Sequence, residues 1–238
     1  MNGFYGALAL MGSLSPFGSG TELSRNCTAL GAESCGTPMP VGGGLAGTIG
    51  YARDPFGLEV FLGVLGDFQR PSAHFDGSTH QAHGDPLLAA PARNESFIIV
   101  RGGAMVAARV RLSKQWSRFR TSVAVGPGLA WRYMALEREV TTFDGAEDRP
   151  YFSRGTSYVS PALSLEGQIQ WRATPTLAVY LGLGFWIESA GNDTRSVADT
   201  GRYALGAGKA YPLNTPAYSM AYGLQFMLLP QIGLAFGP

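Results

Sequence analysis

Long apolar runs, charge and lysine are scarce in this chain of 238 residues. No run of 18 or more apolar residues occurs, which excludes a transmembrane helix. Charged residues make up 15% of the chain, against roughly 25% in ordinary soluble domains. The formal net charge is +1 and only Lys114 and Lys209 are lysines, so the composition predicts no general attraction to nucleic acid. Because no charge run or Pro/Ser-rich linker divides the chain, we expect one domain over residues 1–238.

Cysteine is also scarce, and its two positions lie close together. Cys27 and Cys35 fall in a polar, Gly-rich segment. Two cysteines so close within a predicted loop favour a local disulfide formed in an oxidising compartment, with two free thiols as the alternative. The first residues carry no charged and apolar leader, so we expect a mature exported chain.

What the sequence does contain is strict alternation, which is clearest over residues 217–236. Its even positions are large and apolar from Tyr218 to Phe236, with Pro230 among them, while most odd positions are small or carry an amide. Period-two alternation predicts a β-strand whose two faces meet different surroundings. The segment is far longer than the usual strand of roughly 5–6 residues.

Seven further segments alternate in the same way, and the connections between the eight are in turn long and short. Pro127, Pro161 and Pro230 fall on the apolar faces, where bulges could hold them, and a break at Pro230 would give ten strands instead of eight. We predict an all-β, antiparallel, up-and-down barrel of eight strands, with ten as the alternative. The eight segments are 4–13, 41–52, 58–69, 97–111, 118–134, 158–172, 176–188 and 217–236.

The composition of the two faces predicts which one is outside. A soluble barrel of lipocalin type would be apolar inside and polar outside. Here the face that carries small residues is too poor in polar groups to be a solvated surface. Small residues do fit the narrow interior of an eight-stranded barrel. Aromatic residues collect near the strand ends on the large apolar face, which is typical of the two girdles of a transmembrane barrel. These aromatics are Phe4, Tyr51, Phe68, Phe119, Trp131, Tyr133, Trp171, Phe185, Tyr218 and Phe236.

With its alternating strands, long and short connections and a last strand ending near Phe236, the chain resembles the small eight-stranded bacterial outer-membrane barrels of OmpA and OmpX type. The resemblance covers essentially the whole chain and implies an integral outer-membrane location. Members of that group range from membrane tethers and adhesins to small channels and lipid-modifying enzymes. The resemblance therefore implies the fold and leaves the role open.

Charged residues on the inward faces form the candidate site. Ionised groups inside a narrow protein interior must be paired. We predict a lumen network centred on Glu166 and paired with Arg101, or with Arg132 or Arg120 instead. The inward carboxylates Glu59 and Asp67 belong to the same predicted network. A solvated rim at the short-turn end is the simpler interpretation for Arg109, Arg111, Arg118, Arg120 and Arg172.

Histidine occurs only in the predicted loop of residues 70–95. The spacing of His80 and His83 can bind a metal, but no rigid element is predicted to hold the ligands. A barrel lipase would need a histidine on a strand near a rim, and a barrel protease an Asp/His pair there. We therefore expect no catalytic residue, metal or cofactor. The candidates in this loop are His74, His80, His83, Asp76 and Asp85.

These observations together predict a non-enzymatic outer-membrane barrel, filled by side chains, whose long external loops contact a surface or partner. We expect membrane lipid and an extracellular or envelope component as partners, no nucleic acid, and a monomer. Two alternatives stay open. One is a narrow channel for small or apolar solutes, and the other is an outer-membrane hydrolase, a lipase or protease, that uses residues 70–95.

Overall fold

The structure, a computed structural model, describes part of the chain, in which eight long antiparallel strands form a closed barrel. Five short strands lie in the long connections. Within the described ranges, no helix is long and apolar enough to cross a membrane. The described residues are 2–16, 33–36, 38–75, 93–142, 151–152, 156–189, 202–205, 209–212 and 224–237.

The strands follow the chain in an up-and-down order. They are β1 (Asn2–Leu14), β2 (Ser34–Gly36), β3 (Val41–Arg53), β4 (Phe56–Gln69), β5 (Ser72–Phe75), β6 (Arg93–Trp116), β7 (Phe119–Thr142), β8 (Tyr151–Phe152), β9 (Thr156–Arg172), β10 (Leu177–Ser189), β11 (Arg202–Leu205), β12 (Lys209–Pro212) and β13 (Leu224–Phe236). The barrel wall consists of β1, β3, β4, β6, β7, β9, β10 and β13.

The wall closes because the first and last barrel strands pair with each other. Leu10 of β1 is opposite Leu45 of β3 on one side and Ile232 of β13 on the other. β6 pairs with both β4 and β7, which completes the ring. The prediction of an eight-stranded antiparallel barrel is confirmed, and the described residues supply no further pair of wall strands. Residues 217–223, the first part of the predicted last strand, lie outside the described residues.

Alternation along each strand separates an apolar outer surface from a buried interior. Outward side chains are exposed, as Phe4 (76%) and Ile49 (68%) illustrate, whereas neighbouring inward residues such as Ala7 and Thr48 are buried. The predicted assignment of the two faces therefore agrees with the structure. Of the predicted girdle aromatics only Tyr218 lies outside the described residues, and the other nine are exposed.

Short turns gather at one end of the barrel and long connections at the other, as the sequence predicts. The short turns are Asp54 with Pro55, Ser117 with Arg118, and residues 173–176. Ser117 has a φ of 53°, a left-handed conformation that tight turns require. The long connections are residues 15–40, 70–92, 143–155 and 190–223, so the two ends of the barrel differ in the length of chain that they present.

Two of the three outward prolines interrupt a ladder without shifting its register. The pairing of β6 with β7 runs to Ala107↔Gly128 and resumes at Val110↔Val125, with Pro127 in the gap. The pairing of β1 with β13 shows a similar gap at Pro230. Proline lacks the backbone N–H that a ladder needs, so the gap replaces one hydrogen-bonded step. The expected bulges are absent from these two ladders, because an inserted residue would shift the register.

The predicted strands 97–111 and 118–134 are too short. β6 and β7 each have 24 residues, whereas a strand crosses a bilayer with about 9–11. Both extend beyond the wall at the long-connection end, where β5 pairs with β6, β2 pairs with β5, and β8 pairs with β7. The sequence signal weakens there because successive residues, such as Arg93 to Ser96, are polar and do not alternate with apolar ones.

Candidate functional site in the barrel lumen

The lower lumen, nearer the short turns, contains a buried ion-pair network shared by three strands. Arg109 on β6 reaches two carboxylates, with Nη2 2.6 Å from Glu59 Oε1 and Nη1 2.6 Å from Glu166 Oε2. The side chains of all three residues are almost completely buried. Gln168 donates from Nε2 to Glu166 Oε1. A bridging arginine of this kind satisfies two carboxylates that water cannot reach.

A second arginine completes this lower network. Arg111 donates from Nε to Glu59 Oε2 at 2.5 Å, and its Nη1 donates to Gln168 Oε1 at 2.7 Å and to Ser122 Oγ at 2.6 Å. The Tyr5 hydroxyl donates to Glu59 Oε2 at 2.5 Å. Glu59 therefore accepts hydrogen bonds from two arginines and a tyrosine. Among the described residues, no other lumen carboxylate pairs with two arginines.

The upper lumen, nearer the long connections, contains a separate pair. Arg132 on β7 donates two hydrogen bonds to Glu188 on β10. Nε lies 3.0 Å from Oε1, and Nη2 lies 2.9 Å from Oε2. The Trp186 indole N–H also donates to Glu188 Oε2 at 2.9 Å, and the Tyr158 hydroxyl lies 3.4 Å from Oε1. This two-pronged arginine geometry is directional and ties β7 to β10 across the lumen.

A third ion pair sits beside the upper one. Arg101 Nε lies 2.6 Å from Asp67 Oδ1, between the neighbouring strands β6 and β4. Gln69, one inward position further along β4, donates to the carbonyl oxygen of Pro38 at 2.7 Å. These contacts link the top of the lumen to residue 38 in the first long connection.

An apolar layer separates the lower network from the upper pairs. Phe61 and Trp186 meet at its centre with ring centroids 6.2 Å apart. The guanidinium carbon of Arg109 lies 4.5 Å from the Phe61 ring centroid on the lower side. On the upper side Arg132 Nη2 lies 3.5 Å from Met105 Sδ and 3.3 Å from the Sδ of Met227. The layer comprises Ala7, Ala9, Met11, Ala46, Phe61, Leu65, Met105, Ala107, Ala130, Tyr180, Trp186, Met227 and Leu229.

An inward glycine provides the space for the largest side chain of this layer. A Cβ on Gly128 would lie 2.9 Å from Trp186 Cη2 and 2.6 Å from the carbonyl oxygen of Val106. Real Cβ atoms do not approach so closely, so the Trp186 indole can keep its place in the lumen only because position 128 lacks a side chain. The Gly126-Pro127-Gly128 segment therefore shapes the lumen as well as the strand.

The ion pairs of the lumen balance in charge. Among the described residues, four inward arginines pair with four inward carboxylates, so the charges of these ion pairs compensate one another. Burying these groups would cost several kcal/mol each if they were unpaired. The paired groups are Arg101, Arg109, Arg111 and Arg132 with Asp67, Glu59, Glu166 and Glu188.

The predicted pairing of Glu166 with Arg101 is wrong, because the stagger of the strands separates the two. Arg101 is opposite Met134 on β7, and Met134 is opposite Thr156 on β9, ten residues before Glu166. At about 3.3 Å per strand residue, that offset is roughly 33 Å along β9. Glu166 binds Arg109 instead, while Arg101 binds Asp67 and Arg132 binds Glu188.

The predicted solvated rim is also wrong for Arg109 and Arg111, which are only 2% and 4% exposed and lie within the lower network. Arg118 is exposed in its turn and Arg172 is half-buried. Arg120, proposed as an alternative partner of Glu166, is buried at the mouth and donates from Nη2 to Ser113 Oγ at 2.7 Å. Alternation identifies all five as inward or near a turn but does not give their depth.

Of the loop histidines only His74 is described. Its Nδ1 lies 2.7 Å from Asn94 Oδ1, and its Nε2 lies 3.6 Å from Glu33 Oε2. His80, His83, Asp76 and Asp85 lie outside the described residues. Cys35 is on β2, and Cys27 also lies outside the described residues, so the disulfide stays a prediction. Over the described ranges, no cluster of three or more His, Cys, Asp or Glu side chains could hold a metal ion.

Comparisons with known proteins find likeness in fold only. No family model and no curated protein matches the chain. The solved structures with a similar fold include Neisserial surface protein A (13% identity, 98% of this chain, 96% of the other, TM-score 0.34). They also include the outer membrane protease OmpT from Escherichia coli (10%, 98% and 96%, TM-score 0.44) and the outer membrane protein OprG from Pseudomonas aeruginosa (10%, 99% and 97%, TM-score 0.45). A fold by itself does not decide whether a chain is an enzyme.

Because these TM-scores are below 0.5, the assignment rests on the geometry of the barrel itself. Nearly every outward position on the wall is apolar and exposed, far more surface than the few hundred Å² of apolar patch that a soluble monomer tolerates. Charged groups are paired inside, no sheet edge is open in the wall, and short turns occupy one end. The chain is an integral β-barrel of the bacterial outer membrane.

Proposed function

We propose that this barrel is a closed, non-enzymatic membrane scaffold that holds long loops at the external surface for contact with a surface or a partner. The observation that carries the proposal is the filled lumen. An ion following the axis would have to cross the layer around Phe61 and Trp186, which lies between two sets of ion pairs. An apolar layer of packed side chains opposes ions because nothing there replaces their hydration.

The chain also has additional strands and long connections at its external end. β6 and β7 extend beyond the wall, and the short strands β2, β5 and β8 add to the same sheet on that side. Of the four long connections, residues 190–223 form the longest, and they contain the β11–β12 hairpin. A barrel whose described lumen is filled by side chains suits a role in presenting these external segments. It does not suit a role in passing a solute. We further propose that the protein acts as a monomer, with membrane lipid around the wall.

Conductance in a planar bilayer tests the closed lumen. We expect the wild-type chain to show no steady ion current under conditions in which a general porin conducts. The double variant Phe61→Ala with Trp186→Ala removes the centre of the apolar layer and should admit brief, noisy currents. Steady current through the wild-type protein would replace the scaffold proposal with the narrow-channel alternative.

Contact through the loops requires a separate test. Replacing residues 190–223 by a short Gly/Ser turn should leave the barrel folded, because the described residues that form the lumen network and the apolar layer all lie outside this segment. We expect cells that display the shortened chain to adhere less to protein-coated surfaces than cells that display the full chain. Equal adhesion, with equal amounts of folded barrel in the outer membrane, would contradict a presenting role for this segment.

A further inference from the structure

Basic residues cluster on one arc of the short-turn rim. Arg53 ends β3, Lys114 lies on the outward side of β6 near its end, and Arg118 lies in the turn between β6 and β7. All three side chains are exposed. Arg172, half-buried at the end of β9, extends the arc. The cluster is unusual in a chain whose formal net charge is only +1.

Backbone hydrogen bonds make this arc one continuous surface. The N–H of Ser113, next to Lys114, donates to the carbonyl oxygen of Pro55 in the β3–β4 turn at 2.9 Å. The N–H of Arg172 donates to the carbonyl oxygen of Arg118 at 2.9 Å. The basic residues are therefore presented by three elements that are hydrogen-bonded to one another in sequence around the rim.

The arc is one-sided and has little counter-charge. Among the described residues at the rim, Asp54 is the acidic one, because Glu59 lies deeper and is committed to Arg109 and Arg111. The rim residues of the neighbouring strands, 2–5, 173–177 and 235–237, contain no charged side chain. Positive charge is thus confined to the sector formed by β3, β4, β6, β7 and the end of β9.

The depth of the arc matches the phosphates of a lipid leaflet. Exposed aromatics of the short-turn girdle, Phe56, Trp116 and Phe119, lie within a few residues of these cations along the chain. The Lys114 ammonium lies 5.6 Å from the Trp116 ring centroid, which holds it against the girdle. Aromatic girdles mark the boundary between hydrocarbon and headgroups, and basic side chains next to them meet headgroup phosphates.

We propose that Arg53, Lys114 and Arg118 form a binding surface for the phosphate groups of anionic phospholipids in the periplasmic leaflet. Short turns face the periplasm in outer-membrane barrels, so this rim lies in the phospholipid leaflet. Each basic residue near an anionic surface contributes about fivefold to the affinity. The surface orders the lipid on one side of the barrel and fixes the depth and tilt of the wall.

Native mass spectrometry of the detergent-solubilised full chain tests this surface with two probes, phosphatidylglycerol and phosphatidylcholine of the same acyl chains. We expect wild type to bind phosphatidylglycerol at least about fivefold more tightly, and the triple variant Arg53→Gln, Lys114→Gln, Arg118→Gln to lose that preference. Arg70→Gln, an exposed arginine at the opposite end, is the matched control and should keep it. The difference in gel mobility between unheated and heated samples shows whether each variant is folded.

Four results would overturn the proposal, and three of them come from the lipid-binding measurement. Wild type could bind the two lipids equally, the folded triple variant could keep the full preference, or Arg70→Gln could lose as much as the triple variant. Inorganic phosphate added at the lipid concentration should leave phosphatidylglycerol bound, since the surface is proposed to hold a lipid and not the free anion. Displacement by phosphate would also count against it. Single Lys114→Arg keeps the charge and should retain the preference.

Discussion

Removing Glu59 should destabilise the barrel more than removing any other lumen carboxylate. Glu59→Ala removes one acceptor of Arg109, the carboxylate that pairs directly with Arg111, and the acceptor of the Tyr5 hydroxyl. Among the described residues, the direct acceptors left to the buried Arg111 would be the neutral oxygens of Gln168 and Ser122. Leaving a buried charge without its counter-charge costs about 3–5 kcal/mol, so we expect a loss of that size in the free energy of unfolding.

Glu166→Ala gives the internal comparison. Arg109 would lose Glu166 but keep its contact with Glu59 at 2.6 Å, so neither arginine of the lower network is left without a carboxylate partner. The expected loss is therefore that of a charged hydrogen bond, about 1.5–3 kcal/mol. Equilibrium urea unfolding in lipid vesicles, followed by tryptophan fluorescence, measures both losses on the same scale. Unchanged denaturant slopes would show that the folded and unfolded states still differ by the same exposed surface.

The controls separate the network from charge in general. Asp54→Ala removes an exposed carboxylate in a turn and should stay within about 0.5 kcal/mol of wild type. In a double-mutant cycle, Glu59→Ala with Arg111→Ala should recover part of the single-variant loss, because no unpaired charge remains at that site. Equal losses for Glu59→Ala and Glu166→Ala, or losses of both below about 1 kcal/mol, would refute this reasoning and indicate a hydrated lumen.

Two further predictions concern the wall and the first long connection. Leu165→Arg, at the middle of β9 on the lipid face, should lower the free energy of unfolding in vesicles by about 2–4 kcal/mol, while Thr176→Arg in a short turn should have little effect; equal effects would place that face outside the bilayer. Cys27 and Cys35 should form a disulfide, seen as the loss of two hydrogens by mass spectrometry of the non-reduced chain, and two free thiols would reject it. Closing so short a loop contributes up to about 3 kcal/mol, and its reduction should leave the barrel strands folded.

The sequence predicted the wall of the barrel because the relevant signal is local. Successive side chains on a strand point to opposite faces, so alternation assigns Leu165 to one environment and Glu166 to the other without any knowledge of neighbouring strands. Long and short connections between such segments then imply an antiparallel ring. The same reasoning fell short at the external ends of β6 and β7, where successive residues such as Asn94, Glu95 and Ser96 are all polar and the alternation is lost.

Only the tertiary structure decided which charges meet. Alternation placed Glu166, Arg101 and Arg109 on the inner face, but the partner of Glu166 depends on the stagger between strands that are not adjacent in sequence. That stagger brings Arg109 within 2.6 Å of Glu166 and leaves Arg101 to Asp67. Likewise, Trp186 of β10 fits inside the lumen because Gly128 of β7, a strand that does not pair with β10, leaves room for the indole. Such contacts depend on barrel closure and strand tilt, which are collective properties of all eight strands and are absent from any local segment of the chain.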